Sequence, residues 1–165
     1  MSNILTALGL AAAPGQTPPN HASTLLLANW ALAYVLMSTR AQKFFYGLDH
    51  NVMPRDDLSK YGEAAVQAGK LDRRTLNKLK RQEAAHANAQ EGYPFFVAAI
   101  LVSLYAGVDN KTINTIGVWY TASRLAFSLL YSYIETSPAS YLRSVAWWSG
   151  NISCITGLVL AGKKL

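Results

Sequence analysis

Charge in this chain is confined to one stretch. No Asp, Glu, Lys or Arg precedes Arg40, none lies between Glu91 and Asp109, and none lies between Arg143 and Lys163. Between Lys111 and Glu135 the single charged residue is Arg124. Ten of the fifteen Lys and Arg fall at positions 40–81. What remains is four long apolar runs, each close to the roughly 20 residues that a helix needs to cross a bilayer core. Only 15% of the residues are charged, against about 25% in a typical soluble domain. A soluble bundle of four such helices would have no polar face to give to water. A disordered chain is excluded by the same apolar content. Most of the net charge of +6 is concentrated in that one stretch, so it does not point to nucleic acid.

The sequence therefore predicts a single all-α domain over 165 residues, an integral membrane four-helix bundle. The spans are expected at about 22–38, 87–108, 112–134 and 142–162, with a loop at about 40–84. The excess of Lys and Arg orients that loop to the cytosol, which leaves both chain ends and the 106–111 turn on the other side. Residues 1–21 contain Pro14, Pro18 and Pro19 and no basic start. They read as a short preface and not as a cleaved signal peptide. Asn110-Lys111-Thr112 is a glycosylation sequon, expected to go unused because it sits almost on the membrane. The loop reads as ordered. Asp72 is a plausible N-cap, and with no Pro or Gly from Leu71 to Glu91 the helix it starts can run on into the second span.

The residues able to carry chemistry are the charges near or inside the spans, because an ionisable group in a membrane helix is a functional candidate by default. Arg124 lies near the middle of the third helix, too deep to snorkel, and Glu91 is its natural ion-pair partner. Offsets of seven and ten residues bring Arg81, Asn88 and Glu91 close to one helix face. Arg124, Phe127 and Tyr131 share a face in the same way. Arg40 ends the first helix, and Arg143 and Ser144 open the fourth. Arg40, Arg81, Glu91 and Arg143 are expected to gather near the cytosolic side as a pocket for an anionic polar ligand. The aromatic residues Trp119, Tyr120, Tyr141, Trp147 and Trp148 read as interface belts or packing. Cys154, the one cysteine, reads as a small apolar packing residue. No metal-ligand spacing is present.

These residues resemble the MAPEG superfamily, the membrane-associated proteins of eicosanoid and glutathione metabolism. The run His86-Ala87-Asn88-Ala89-Gln90-Glu91-Gly92-Tyr93-Pro94-Phe95 is similar to that family's helix-2 signature. Arg124, Phe127 and Tyr131 match the spacing of its helix-3 motif, and Leu142-Arg143-Ser144-Val145 is similar to the opening of helix 4 in the prostaglandin E synthase branch. The long loop and the Ser140–Ser144 stretch look most like a fungal branch. The chain departs from the pattern at Ala84, where the family usually has Arg, at Gly92, where some branches use Tyr, and at Phe127, which lacks a hydroxyl.

The resemblance implies a homotrimer with glutathione bound between subunits near the cytosolic side, in an endoplasmic reticulum membrane. It assigns glutathione contacts to Arg40, Asn88, Glu91 and Arg124, with Arg81 as a partial stand-in for the missing Arg at 84. It assigns the thiol chemistry to Arg143, Ser144 and Tyr131. The activity it implies is a microsomal-type glutathione transferase, with the thiolate attacking a lipophilic electrophile that enters from the lipid. A neighbouring cation lowers a thiol pKa from about 8.5, and a position at a helix N-terminus would add the dipole to the Arg143 charge. The rival enzyme reading is an isomerase or cyclase of a lipophilic metabolite, with glutathione absent or a cofactor only. A third reading is a non-catalytic membrane partner of another enzyme.

Overall fold

The computed structural model describes residues 4–165, and every regular element among them is helical. Residues 1–3 of the expected preface lie outside the described residues. The chain begins with a single turn, α1 (Ile4–Ala7), and then α2 (Ala22–Ala31), which runs on through a π-helical turn at Leu32–Leu36. Next come α3 (Arg40–Phe45) and a second π-helical turn at Asp57–Tyr61 that leads into α4 (Gly62–Gln67). Three long helices follow: α5 (Arg73–Tyr105), α6 (Asn110–Tyr133) and α7 (Ser137–Gly162). α6 packs against α7, α5 packs against both, and α2 with its π-helical turn lies against α5 and α6.

Two segments, Ala22–Phe45 and Ser137–Gly162, are long and apolar enough to cross a membrane by length and composition, where four were expected. The other two helices are less apolar for a physical reason. α5 is polar through its first half, and α6 carries Asn114, Ser123, Arg124 and Ser132, all turned inward. Beside an apolar core, several polar side chains are turned inward and many large apolar ones outward, unlike a water-soluble bundle. Asn29, Ser103, Asn114, Arg124 and Asn151 are buried, while Leu27, Val35, Leu36, Leu101, Leu129, Ile152 and Val159 are exposed. An outer surface of that kind suits lipid or a partner subunit.

Local chemistry sets the helix ends. The Asp72 carboxylate accepts from the Thr75 N–H at 2.9 Å and from the Thr75 hydroxyl at 2.6 Å. It caps a helix of 33 residues that continues through Pro94, so the loop helix and the second long helix are one. Asp109 caps α6 in the same way through Thr112. Between them Gly107 takes φ +66°, the left-handed conformation that closes a helix, and the Val108 N–H reaches back to the Ser103 carbonyl at 3.0 Å. α7 begins at Ser137 with a proline in its first turn. That start is earlier than the expected 142 and places Arg143 on the second turn of the helix.

The loop is ordered by a core of its own. Leu48, Leu58, Leu71, Leu76 and Leu79 are buried together beneath Ala65 and Val66, and burying each Leu contributes about 1.5–3 kcal/mol. Beside that core the Lys43 ammonium, 6% exposed, is 3.0 Å from Asp57 and 3.1 Å from Glu83, and it donates to the Pro54 carbonyl at 2.9 Å. At the far end of the molecule the preface is fastened to α6. The Asn114 amide donates to the Gly9 and Pro19 carbonyls, and the Asn110 amide donates to the Pro18 carbonyl.

Candidate functional site

Arg124 is 3% exposed. Its guanidinium donates to the side-chain carbonyl of Asn88 at 3.1 Å and to that of Asn151 at 3.3 Å. It also stands 5.0 Å from the centre of the Tyr120 ring, which stacks on Phe96 at 4.2 Å. The close approach of Arg124 to α5 depends on Gly92. A Cβ at that position would fall 2.8 Å from Nη2 of Arg124 and 3.2 Å from the Tyr120 hydroxyl. The glycine that departs from the family pattern is therefore the residue that makes room for the arginine.

The expected ion pair between Glu91 and Arg124 is absent. Glu91 is exposed and has no hydrogen-bond or ion-pair partner among the described residues. The reason is rotational. Arg124 seats over Asn88 and Gly92, four residues apart on α5, whereas Glu91 lies about 100° round the helix from Gly92. Two amide carbonyls receive its Nη1 and Nη2, and an aromatic face takes the charge instead.

Around Arg124 is a cavity of about 360 Å³ lined by Asn88, Glu91, Gly92, Phe95, Trp147, Trp148, Asn151 and Ile155. Its lining is mixed, with Asn88, Glu91 and Asn151 polar and Phe95, Trp147, Trp148 and Ile155 apolar. Asn88 and Glu91 stand toward the N-terminal end of the α5 stripe, and Phe95 stands one to two turns further on. Trp147, Asn151 and Ile155 repeat every four residues along α7. In the packing beside it, Nε of Arg124 and Nδ2 of Asn151 are buried donors without a hydrogen-bond partner. Asn151, Trp147 and Trp148 were not among the expected site residues. The available signal was a lone Asn four residues after a Trp in an otherwise apolar run, and a search for charges passes over it.

The remaining candidates separate into four places. The Arg143 guanidinium lies 4.3 Å from the centre of the Tyr131 ring, with its Nε donating to the Ser140 carbonyl. Tyr131 is in turn edge-on to Phe127 at 5.4 Å. This brings Arg143 and Tyr131 together, but Arg143 is not at a helix N-terminus, so the dipole that falls off within the first turn adds little there. Ser144 lines a different, apolar groove of about 570 Å³ with Trp119, Tyr141, Val145 and Trp148. Arg81 is engaged elsewhere, donating to the Ser132 carbonyl at 3.4 Å and to Glu135 at 2.9 Å, which ties α5 to the end of α6. Arg40 bonds Asn51 at 2.6 Å and borders a polar cleft of about 410 Å³ with Lys43, Arg55, Glu83, His86 and Gln90. That cleft lies on another face of α5 from the cavity around Arg124. The expected single cluster of Arg40, Arg81, Glu91 and Arg143 is therefore not formed within one protomer.

Nothing matches in comparisons with curated proteins or with solved structures. A family model does. The one described as MAPEG family matches residues 20–163, a span that takes in the Asn88–Phe95 run, Arg124, Tyr131 and the Arg143–Asn151 stretch, and on that match the chain belongs to the MAPEG family.

Proposed function

We propose that this chain is an integral membrane glutathione transferase of the microsomal type, which adds the glutathione thiolate to a lipophilic electrophile. The observation that carries this is the mixed cavity: a free carboxylate at Glu91, a buried cation at Arg124, and apolar walls of Phe95, Trp147, Trp148 and Ile155. A zwitterionic peptide and a lipophilic molecule need those two environments side by side. Family membership supports a glutathione-related or eicosanoid-type membrane function in general, and with the two apolar helices it fits an integral membrane protein.

Glu91 takes the ammonium of glutathione. Arg124 engages the Asn88 carbonyl and so leaves the Asn88 amide N–H groups for the peptide. The two glutathione carboxylates need more than the one cation, Arg124, that lines this cavity. Arg40 and Arg55 border the cleft on the other face of α5, so a second copy supplies the rest, and the homotrimer is the assembly that the family resemblance implies. Arg143, with its charge over Tyr131, favours the thiolate, and Ser144 assists it. The four long segments cross the endoplasmic reticulum membrane, with the site toward the cytosol. The rival isomerase or cyclase reading has one observation in its favour: buried donors at Arg124 and Asn151 can polarise a carbonyl without a thiol.

Calorimetry on the purified full chain tests the proposal. Glutathione binds saturably, Glu91→Gln abolishes the binding, and Arg143→Leu raises the thiol pKa of bound glutathione. No heat at millimolar glutathione refutes the transferase. A monodisperse monomer by native mass spectrometry removes the site between copies.

A further inference from the structure

We infer that the turn at residues 49–56 and the end of α3 form an apolar lip that inserts into the membrane leaflet on the side of the basic loop, with lipid as its partner. This rests on the spanning helices and not on the transferase reading. The turn is a built projection. At its base Leu48 and Asp57 are buried, and the His50 N–H donates to the Asp57 carboxylate at 3.1 Å. Within it the Met53 N–H donates to the His50 carbonyl at 3.0 Å, and the Asp56 N–H to the Met53 carbonyl at 3.1 Å. What this frame holds outward is apolar. Val52 is 94% exposed and Met53 57%, and at the end of α3 Phe44, Phe45 and Tyr46 are exposed as well. Large apolar side chains gathered in this way mark a contact surface.

Depth decides what meets it. Ala22–Phe45 is long and apolar enough to cross a membrane, and from Ala22 to Lys43 the helical path is about 32 Å at about 1.5 Å per residue. The neighbouring helix gives the same depth. Glu83, 3.1 Å from Lys43, lies about 33 Å along α5 from Tyr105 at its far end. The hydrocarbon core is about 30 Å thick, and the bilayer with its headgroups about 40–45 Å. The pair of Lys43 and Glu83 therefore stands in the headgroup layer. The turn folds back to that level, because Asn51 accepts from Arg40 at 2.6 Å and the Pro54 carbonyl accepts from Lys43 at 2.9 Å. Val52 and Met53, between those two anchors, stand where headgroups meet acyl chains.

The chemistry of the tip suits that boundary. Residues 51–54 carry no charge, and Phe44, Phe45 and Tyr46 form an unbroken aromatic run. Aromatic and aliphatic side chains at headgroup level hold a segment in the interface by burying their apolar bodies at the acyl boundary. Continuity with the first span names the occupant. Its exposed apolar positions, Leu27, Val35 and Leu36, run on into Phe44 and Phe45, so the lipid that covers the one covers the other. The lip thereby fixes the height of the loop core, and of the polar cleft that Arg40 and His86 border, relative to the membrane.

The test uses the full chain in vesicles of phosphatidylcholine and phosphatidylglycerol. A nitroxide is attached at Val52→Cys or at Lys70→Cys, both exposed positions, and the unsubstituted chain, whose Cys154 is buried, is the blank. Power saturation reads collisions with oxygen, which concentrates among acyl chains, and with a water-soluble nickel chelate. At position 52 oxygen dominates. Position 70 precedes α5, whose start is about 15 Å further out than Glu83, and there the chelate dominates. The same water-like ratio at both positions overturns the lip. A label at position 52 that neither reagent reaches is buried under another copy and overturns it too. With the label at Met53→Cys, adding Val52→Asp moves the ratio towards that of position 70, and an unchanged ratio overturns the insertion. Release of the chain by alkaline carbonate refutes the spanning helices and the lip with them, whereas a retained chain with a water-like label at position 52 loses the lip alone.

Discussion

Gly92→Ala separates the role of this glycine from ordinary helix energetics. In the interior of a helix, Ala is more stable than Gly by about 0.8–1.0 kcal/mol, so on propensity alone the substitution stabilises α5. The structure reverses the sign. The new Cβ would lie 2.8 Å from Nη2 and 3.1 Å from Cζ of Arg124, so the guanidinium must shift toward the adjoining cavity. Moving the guanidinium breaks its bond to Asn151 or Asn88, and a hydrogen bond to a charged group is worth about 1.5–3 kcal/mol. The net expectation is a loss of about 0.5–2 kcal/mol. In an Arg124→Met background the clash is relieved, the Tyr120 hydroxyl at 3.2 Å yields by a few tenths of an ångström, and the propensity gain reappears. The coupling across the cycle is about 1.5–3 kcal/mol, well above the roughly 0.3–0.5 kcal/mol by which independent sites fail to add. Reversible unfolding by SDS in mixed micelles measures all four corners, with the thermal midpoint as a second readout. If Gly92→Ala stabilises both backgrounds equally, Gly92 is not what holds Arg124 in place.

Lys43→Met strips the counter-charge from Asp57, which is fully buried, and costs about 3–5 kcal/mol; limited proteolysis should then cut residues 46–61 faster, and an unchanged cleavage pattern counts against the clamp. Lys80 and Arg73 hold the Glu63 carboxyl below its ordinary 4.5, and Thr75 holds Asp72 below 3.8. A depressed carboxylate pKa contributes stability above the unfolded value and loses it as pH falls through the folded one, so α4 and the start of α5 loosen only below pH 4.5; loosening of that junction between pH 8 and 6, followed by hydrogen exchange, would contradict this. Asn110 stays unglycosylated in eukaryotic membranes because its amide is engaged by Pro18 and it accepts from Asn20; a glycan found there by mass means that this strap opens.

Charge segregation in the sequence was enough to anticipate an all-helical chain with apolar outer faces and an ordered basic loop. The Asp72 cap and the unbroken passage of the loop helix into α5 were also legible, because a capping side chain and the absence of Pro or Gly act over a single turn. The start of α7 was harder to place. Ser137 and Pro138 open it outside the apolar run, and hydropathy marks where a helix meets lipid better than where its hydrogen bonds begin. The loop core of Leu48, Leu58, Leu71, Leu76 and Leu79 lies in a basic stretch where no long apolar run announces it.

The site was legible as a set of faces and illegible as a set of partners. Periodicity placed Asn88 and Glu91 near one stripe of α5, and the cavity does contain both. It could not say which of them Arg124 would choose. Pairing Arg124 with Glu91 by sign assumes that a buried cation needs a formal anion, and in a low-dielectric interior a well-aimed amide carbonyl and an aromatic face serve as well. Whether they are reachable depends on how closely two helices approach, which Gly92 controls through a missing Cβ. Read alone, that glycine is a departure from the family motif and a loss of function. Read with the arginine it accommodates, it leaves Glu91 unpaired at the cavity and Nε of Arg124 idle beside Asn151. One small residue thus sets how near the arginine comes to Asn88 and Asn151, and with it which groups remain for a ligand.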